Sequence, residues 1–444
     1  MMGAVKETVM QFGEGGFLRG FVDYFFHKLN EKGLYDGKVV VIQPIEKGLI
    51  HVLNDQKGQY NLFLRGIENG QVVNERTEIH SISRAINPYE DYAAYLELAH
   101  NPDLRVIVSN TTEAGIEYLG TEKITDAPPK SYPAKLTAFL YERFKTGLGG
   151  FILLPCELID NNADQLKKCV LQYAALWQLG DAFVNWIEKE NHFCNTLVDR
   201  ICTGYPADEV ETLTKQIGYE DRLIDTAEIF HLWVIQGNFE HELPFNKAGY
   251  NIVWTDDVTP YKKRKVRILN GGHTSMVLAA RLYGLETVGE CMNDQTVSSF
   301  LHHCIFDEII PTLGNTETDI AFGKAVLERF SNPFIKHKLL SIALNSVSKF
   351  KVRVLPSLLA YREQFGKNPK CLTLSLAALI AFYKTDEAND LPEVMAFMKQ
   401  ASVAEILAKE EYWDMDLSFL KEEVEAYYQT IQTKGMKEAF ACVL

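Results

Sequence analysis

The chain has 444 residues, 47% of them hydrophobic, which is enough for two domains of ordinary size with a core in each. A formal net charge of -14 argues against a nucleic-acid surface, and no apolar run approaches the roughly 18 residues of a membrane span. Eight cysteines without a C-x-x-C pair suggest neither a disulfide framework nor a zinc site. With no room before the first strand for a signal peptide, a cytoplasmic chain with reduced thiols is expected.

The first half alternates short β-branched runs with helical patterns, as a doubly wound sheet does. Strands are predicted at Thr8 to Phe12, Lys38 to Gln43, Arg105 to Asn110 and Phe151 to Cys156. Asn61 to Arg65 and Val72 to Ile82 flank Asn69-Gly70, a dipeptide suited to a hairpin turn, and read as an insertion in this fold. A helix is predicted from Ala163 to Trp177, with extended segments around Phe193 to Ile201 and Phe230 to Ile235. Beyond about Ile268 helices are predicted at Thr274 to Leu282, Thr296 to Ile310, Asp319 to Phe330, Ile335 to Leu344, Leu355 to Phe365, Cys371 to Tyr383 and Leu417 to Lys434. The expected class is α/β: an N-terminal Rossmann-type doubly wound sheet with insertions over residues 1–243, then a mostly α-helical domain over 244–444.

The first strand leads into Gly13-Glu14-Gly15-Gly16-Phe17-Leu18-Arg19-Gly20 and then a helix. Glycines at that place let backbone approach a pyrophosphate, whose oxygens take the free N–H groups of the helix start. Gly13, Gly15, Gly16, Phe17 and Arg19 are therefore cofactor candidates, although Leu18 stands where the third glycine of G-x-G-x-x-G is usual. The acid expected on the ribose after the second strand is absent; Gln43 occupies that place and Glu46 is the nearest carboxylate. Asn110 and Thr111 end a parallel strand, where an open sheet binds its ligand.

The run Tyr261 to Ser275 carries Lys265, Asn270 and His273. On one continuous α-helix these would stand at about 0°, 140° and 80°, within a single arc. Reducing a ketone creates an alkoxide that needs a proton donor and hydrogen-bond donors. Lys265 suits the first role, helped by the like charges of Lys262, Lys263, Arg264 and Arg267; Asn270 suits the second, and His273 a further hydroxyl. The alternative is a solvated basic face followed by a helix cap. His302 and His303 are adjacent on a helix and point too far apart to share a metal ion, and no hydrolase or P-loop motif occurs.

The spacing Lys265-x-x-x-x-Asn270-x-x-His273 within K-V-R-I-L-N-G-G-H resembles the catalytic signature of the long-chain mannitol dehydrogenase family. The G-E-G-G-F-L-R-G loop is similar to that family's nucleotide loop, and the likeness extends over nearly the whole chain. It implies NAD(H) as cofactor, a sugar acid or polyol as substrate and no metal, with Lys265 as general acid/base and Asn270 as an oxyanion donor. Pro155 to Ala163 looks like a family segment that makes Asn162 the second oxyanion donor, although Glu157, Leu158 and Ala163 depart from its pattern. N-T-L-V-D-R-I at Asn195 to Ile201 implies that Asp199 binds substrate hydroxyls. Ser348-Lys349-Phe350 falls where the family has a substrate lysine, and the alternation of Lys349, Lys351 and Arg353 leaves the choice among them open.

Overall fold

The computed structural model describes residues 5–444, which fall into two compact units. One comprises the chain up to Arg65 and Val72–Val258; the other comprises Gly66–Gln71 and Thr259–Leu444.

In the first unit, strands β1 (Glu7–Phe12), β2 (Lys38–Ile42), β3 (Tyr60–Glu68), β4 (Gln71–Ile79), β5 (Ile82–Ile86), β6 (Val106–Ser109), β7 (Ile152–Pro155) and β8 (His192–Phe193) are followed by five more. The main sheet is parallel throughout and runs β5-β2-β1-β6-β7-β8. That order reverses direction between β1 and β6, the crevice at which dinucleotide folds bind. Lys-Val-Val-Val-Ile in β2 is buried on both faces, as a central parallel strand must be. Successive residues alternate between two cores: Val9, Val39, Val41 and Val108 face one, and Met10, Val40, Ile42 and Ile107 the other.

The insertion forms as expected. Asn69 and Gly70 take φ of 52° and 75°, the left-handed pair that joins β3 to β4. The hairpin tip groups with the helical unit, where the Gly70 N–H donates to Glu328 at 3.0 Å. The later strands β9 (Thr196–Asp199), β10 (Cys202–Gly204), β11 (Asp225–Glu228), β12 (Leu232–Gln236) and β13 (Ile252–Thr255) complete a four-stranded sheet β10-β11-β3-β4 and a three-stranded sheet β13-β12-β9. Here the expected division at 243/244 is corrected: β13 pairs in parallel with β12, so residues 244–258 belong to the first unit and the chain crosses over at Val258–Thr259.

The second unit is helical and is built around Lys370–Phe382, whose residues from Cys371 onward are all buried. A helix that is apolar all round becomes the centre of such a unit. Capping boxes at Thr287/Glu290, Thr316/Asp319 and Ser402/Glu405 start three of its helices. Two expectations change. Of Ile335 to Leu344 only Leu339–Ile342 is helical, because Val288 N–H bonds the His337 carbonyl and Leu339 N–H the Glu286 carbonyl, which holds the strand-like approach. The helix from Gln295 widens to π geometry over His303–Ile309 and ends at the turn containing Pro311.

Candidate functional site

The glycine loop lies at the reversal of the main sheet. Gly13 has φ of +119°, and a Cβ there would meet the Asn110 carbonyl oxygen at 2.9 Å, so the ends of β1 and β6 touch backbone to backbone. A Cβ at Gly15 would meet nothing within 4 Å, leaving open space over the loop. Beside these strand ends is a cavity of about 320 Å³, lined among others by Pro44, Ile45, Thr111, Leu119, Lys130 and Tyr132. A close-packed loop below and a cavity at the C-terminal edge of the sheet fit a dinucleotide.

Side chains around this edge are held in place rather than loose. Asn110 Nδ2 donates to the Cys156 carbonyl at 3.0 Å. The Glu157 carboxylate, 2% exposed, accepts from Ser109 Oγ, Thr111 N and Thr111 Oγ1, each at 3.0 Å. Burial raises its pKa while these donors work the other way. Glu157 thus ties the ends of β6 and β7 together and orients Thr111. In the sequence it stood out only as a departure from a pattern; the useful signal was its place just past a parallel strand. Gln43 turns inward, with Nε2 on the Ile45 and Glu46 carbonyls at 2.9 and 3.1 Å, and shapes the turn that carries Ile45 into the cavity wall.

Two expected roles are corrected. Arg19 is 3% exposed and directed into the protein: Nε donates to the Glu14 carbonyl at 3.1 Å and Nη1 to the Leu223 carbonyl at 2.5 Å. Its guanidinium supports the loop from beneath and is not presented to a phosphate. Asn162 is 1% exposed and begins the helix Asn162–Leu176. Its Nδ2 lies within 3.3 Å of the Pro155, Glu157 and Thr196 carbonyl oxygens and of Thr196 Oγ1, and Oδ1 accepts from Ala163 N and Thr196 N. An amide with two N–H groups has none left here for an oxyanion. Asp199 ends β9 and is buried at 7% exposure.

In the helical unit, Thr259–Arg264 is α-helix, Lys265–Asn270 is a π segment and Gly271–Tyr283 is α-helix again. The uniform 100° spacing therefore does not hold. In a π turn the backbone bonds run from i to i+5, which narrows the angle between Lys265 and Asn270 relative to an α-helix. Asn270 and His273 are spaced i and i+3, neighbours on a helix surface. Single π turns inside α-helices occur frequently at functional sites. The basic run itself disperses: Arg264 Nε pairs with Asp319 at 2.7 Å and Arg267 Nη1 donates to Ser357 Oγ at 3.0 Å. Gly271 and Gly272 are packing positions, not a cap: a Cβ would meet the Arg353 carbonyl oxygen at 2.9 Å and Ile305 Cδ1 at 3.1 Å respectively.

The His273 ring stacks on Phe330 with His337 edge-on, and its Nε2 is enclosed with no hydrogen-bond partner among the described residues. Burial first, then His337, Arg329 and Arg353, push its pKa well down, so the imidazole is neutral. Of the three cations left open on helix Ser346–Arg353, Lys351 pairs with Asp414 at 2.6 Å and Lys349 donates to the Ile342 carbonyl at 2.8 Å. Arg353 is half-buried and makes no ion pair among the described residues. His302 stacks on Phe306 and His303 bonds Asp307 at 2.5 Å. Among the described residues no helix is long and apolar enough to cross a membrane.

Residues 7–247 match the pattern of the mannitol dehydrogenase Rossmann domain, and residues 257–433 that of the mannitol dehydrogenase C-terminal domain. The chain is 45% identical to an altronate oxidoreductase of Pectobacterium atrosepticum and 46% identical to one of Escherichia coli, each alignment covering 98% of this chain and 96% of the relative. Among solved structures, a D-sorbitol dehydrogenase in substrate-free form superposes with a TM-score of 0.86 at 22% identity, covering 98% of this chain and 95% of the other. The mannitol 2-dehydrogenase of Pseudomonas fluorescens, in a ternary complex with NAD and D-mannitol, gives 0.73 at 23% identity, covering 99% and 94%. The structural likenesses establish the fold, and the sequence matches span both units; the chain belongs to the mannitol dehydrogenase family.

Proposed function

We propose that this dehydrogenase interconverts D-tagaturonate and D-altronate with NAD(H), reducing a ketone to a secondary alcohol with Lys265 as the acid/base and no metal in the step. Relatives named altronate oxidoreductase, 45–46% identical over nearly their whole length, support the substrate class. The single observation in the fold that favours an acidic substrate is Arg353, a half-buried guanidinium with no ion pair among the described residues, beside neutral His273. A carboxylate satisfies such a cation with charge-assisted bonds; a neutral polyol does not.

The nicotinamide, when bound, supplies or takes up the hydride at the carbon. The chain's residues manage the oxygen. Lys265 Nζ gives a proton to the forming alkoxide in reduction and removes it in oxidation. The Asn270 amide donates to the same oxygen and stabilises its charge. His273 meets a second hydroxyl through Nε2, an atom with no other hydrogen-bond partner among the described residues. Gly13, Gly15, Gly16 and Phe17 form the dinucleotide loop, with Asn110 and Thr111 at the strand ends and Gln43 holding the turn beneath. Asp199 and Lys349 complete the substrate set in this reading.

The test is a spectrophotometric panel of NADH and NADPH against tagaturonate, fructuronate, fructose and fructose 6-phosphate. Tagaturonate with NADH should turn over best. Preference for fructuronate would make the enzyme a fructuronate reductase, turnover of fructose without tagaturonate would make it a mannitol-type polyol dehydrogenase, and either result overturns the assignment.

A further inference from the structure

Beneath the glycine loop lies a charge cluster that no step of the reaction uses. Asp23 and Asp225 are both 0% exposed, and Arg19 lies between their elements at 3%. The Arg19 Nη2 is 3.9 Å from Asp225 Oδ2, and the guanidinium covers the Tyr60 ring at 5.2 Å. The Tyr60 hydroxyl in turn donates to the Arg19 carbonyl at 2.7 Å. Asp23 Oδ2 accepts from Gln11 Nε2 at 3.1 Å, and the same Nε2 reaches the Gly13 carbonyl at 3.1 Å. Asp23 Oδ1 and Asp225 Oδ2 are buried without a hydrogen-bond partner among the described residues.

Unsatisfied buried carboxylate oxygens are costly, and the Asp225 carboxylate lies against the loop's own glycines. A Cβ on Gly16 would stand 3.1 Å from Asp225 Oδ1, and one on Gly20 3.6 Å from Asp225 Oδ2. The turn Gly16–Gly20 therefore rests on the Asp225 carboxylate, with a glycine at each end to admit it. Arg19 fastens the same turn to Glu14 and Leu223. Cys202 on β10 and Tyr60 on β3 are the other titratable groups facing the cluster. Burial raises Asp23 to about 7 and Asp225 to about 6, with Arg19 pulling both down.

We propose that Arg19, Asp225 and Asp23 are positioning residues for the glycine loop, which set its affinity for a diphosphate from below without touching the nucleotide. This rests on the reading of that loop as the NAD(H) site. A direct phosphate contact from Arg19 makes the opposite prediction for one variant. Replacing Asp225 by Asn would then free the guanidinium and leave binding equal or tighter. As a positioning element, Asp225→Asn loosens the loop and weakens binding.

The experiment measures dissociation constants of the full-length enzyme for NADH, ADP-ribose and adenosine by tryptophan fluorescence, for wild type, Arg19→Lys and Asp225→Asn. Both variants should bind NADH and ADP-ribose about tenfold more weakly and adenosine within about twofold of wild type. In steady state the KM for NADH should rise by a similar factor, with the larger part of the loss in KM and not in kcat. Tyr60→Phe, which removes only the hydroxyl under Arg19, should weaken NADH by about threefold, and it carries the test if Asp225→Asn does not fold. Wild-type affinity in Asp225→Asn, or in Tyr60→Phe where that variant stands in, overturns the proposal. A wild-type enzyme that binds no NADH fails the underlying reading instead.

Discussion

The His273 imidazole lies flat on the Phe330 ring, centroids 3.9 Å apart and planes within 2° of each other. Stacking on an apolar face fixes the ring without using either nitrogen in a side-chain bond, and burial keeps it uncharged. The enclosed Nε2 has no hydrogen-bond partner among the described residues, and a ligand hydroxyl is the partner proposed for it. Replacing His273 by Phe retains an aromatic ring to stack on Phe330 and removes both ring nitrogens, Nε2 among them. The kcat/KM for the ketone should fall by about tenfold or more, with the melting temperature nearly unchanged. A large stability loss with normal kcat/KM would mean that the ring is only a core residue.

Lys265 has the most direct test. Lys265→Met keeps an unbranched side chain one atom shorter and removes the transferable proton. The kcat should drop by about 10² to 10⁴, the usual worth of a positioned acid/base, while NADH affinity stays near wild type. Near-normal turnover would remove Lys265 from the mechanism.

The neighbouring glycines should respond unequally. At Gly271 an added methyl meets a backbone oxygen, Arg353 O at 2.9 Å, which cannot move without shifting the helix that carries Arg353. At Gly272 it meets the end of the Ile305 side chain at 3.1 Å, which can rotate. Gly271→Ala should cost about 1–3 kcal/mol in unfolding experiments and also lower activity, because it displaces Arg353 and the π turn together. Gly272→Ala should cost less. Equal costs would contradict this packing.

Arg353→Met should raise the KM for a keto-uronate by about tenfold or more, the worth of a charge-assisted bond, and leave turnover of a neutral ketose little changed. Equal losses on both substrates would show that Arg353 serves packing and not carboxylate recognition.

Glu308 supplies a pH dependence. Its carboxylate is buried at the start of helix Lys370–Phe382, where it accepts from Cys371 N and Leu372 N at 2.8 Å each. Burial outweighs these donors and raises its pKa above the carboxylate range to about 7. A folded-state pKa above the unfolded one means that its contribution is full below the unfolded value, near 4.3, and is lost as pH rises through about 7. The melting-temperature difference between wild type and Glu308→Gln should therefore shrink from pH 5 to pH 8. A constant difference would show that Glu308 is already ionised at pH 5.

Much of this protein was legible in its residues because the relevant physics is local. The alternation of Val9 and Met10 or Val39 and Val40 follows from the two-residue period of a strand, and Asn69-Gly70 from the need for two positive φ angles. The glycine run after β1 is likewise a local signal, and Gly13 takes the positive φ that a tight turn requires. Four matters were decided by tertiary structure. Residues 244–258 join the sheet because β13 finds β12, a pairing across the intervening turns. Arg19 turns inward because the Leu223 carbonyl waits there, 204 positions along the chain. Asn162 is used up by carbonyls of Pro155, Glu157 and Thr196 that only the folded sheet assembles. The π turn over Lys265–Asn270 exists inside a packed unit where Arg264 meets Asp319 and Gly271 meets the Arg353 carbonyl. The sequence by itself determined which groups are available for chemistry, through residue type and near-neighbour spacing. Which of them keep an atom to offer was settled by partners far away in the chain, since a buried polar group takes whichever partner the fold brings to it.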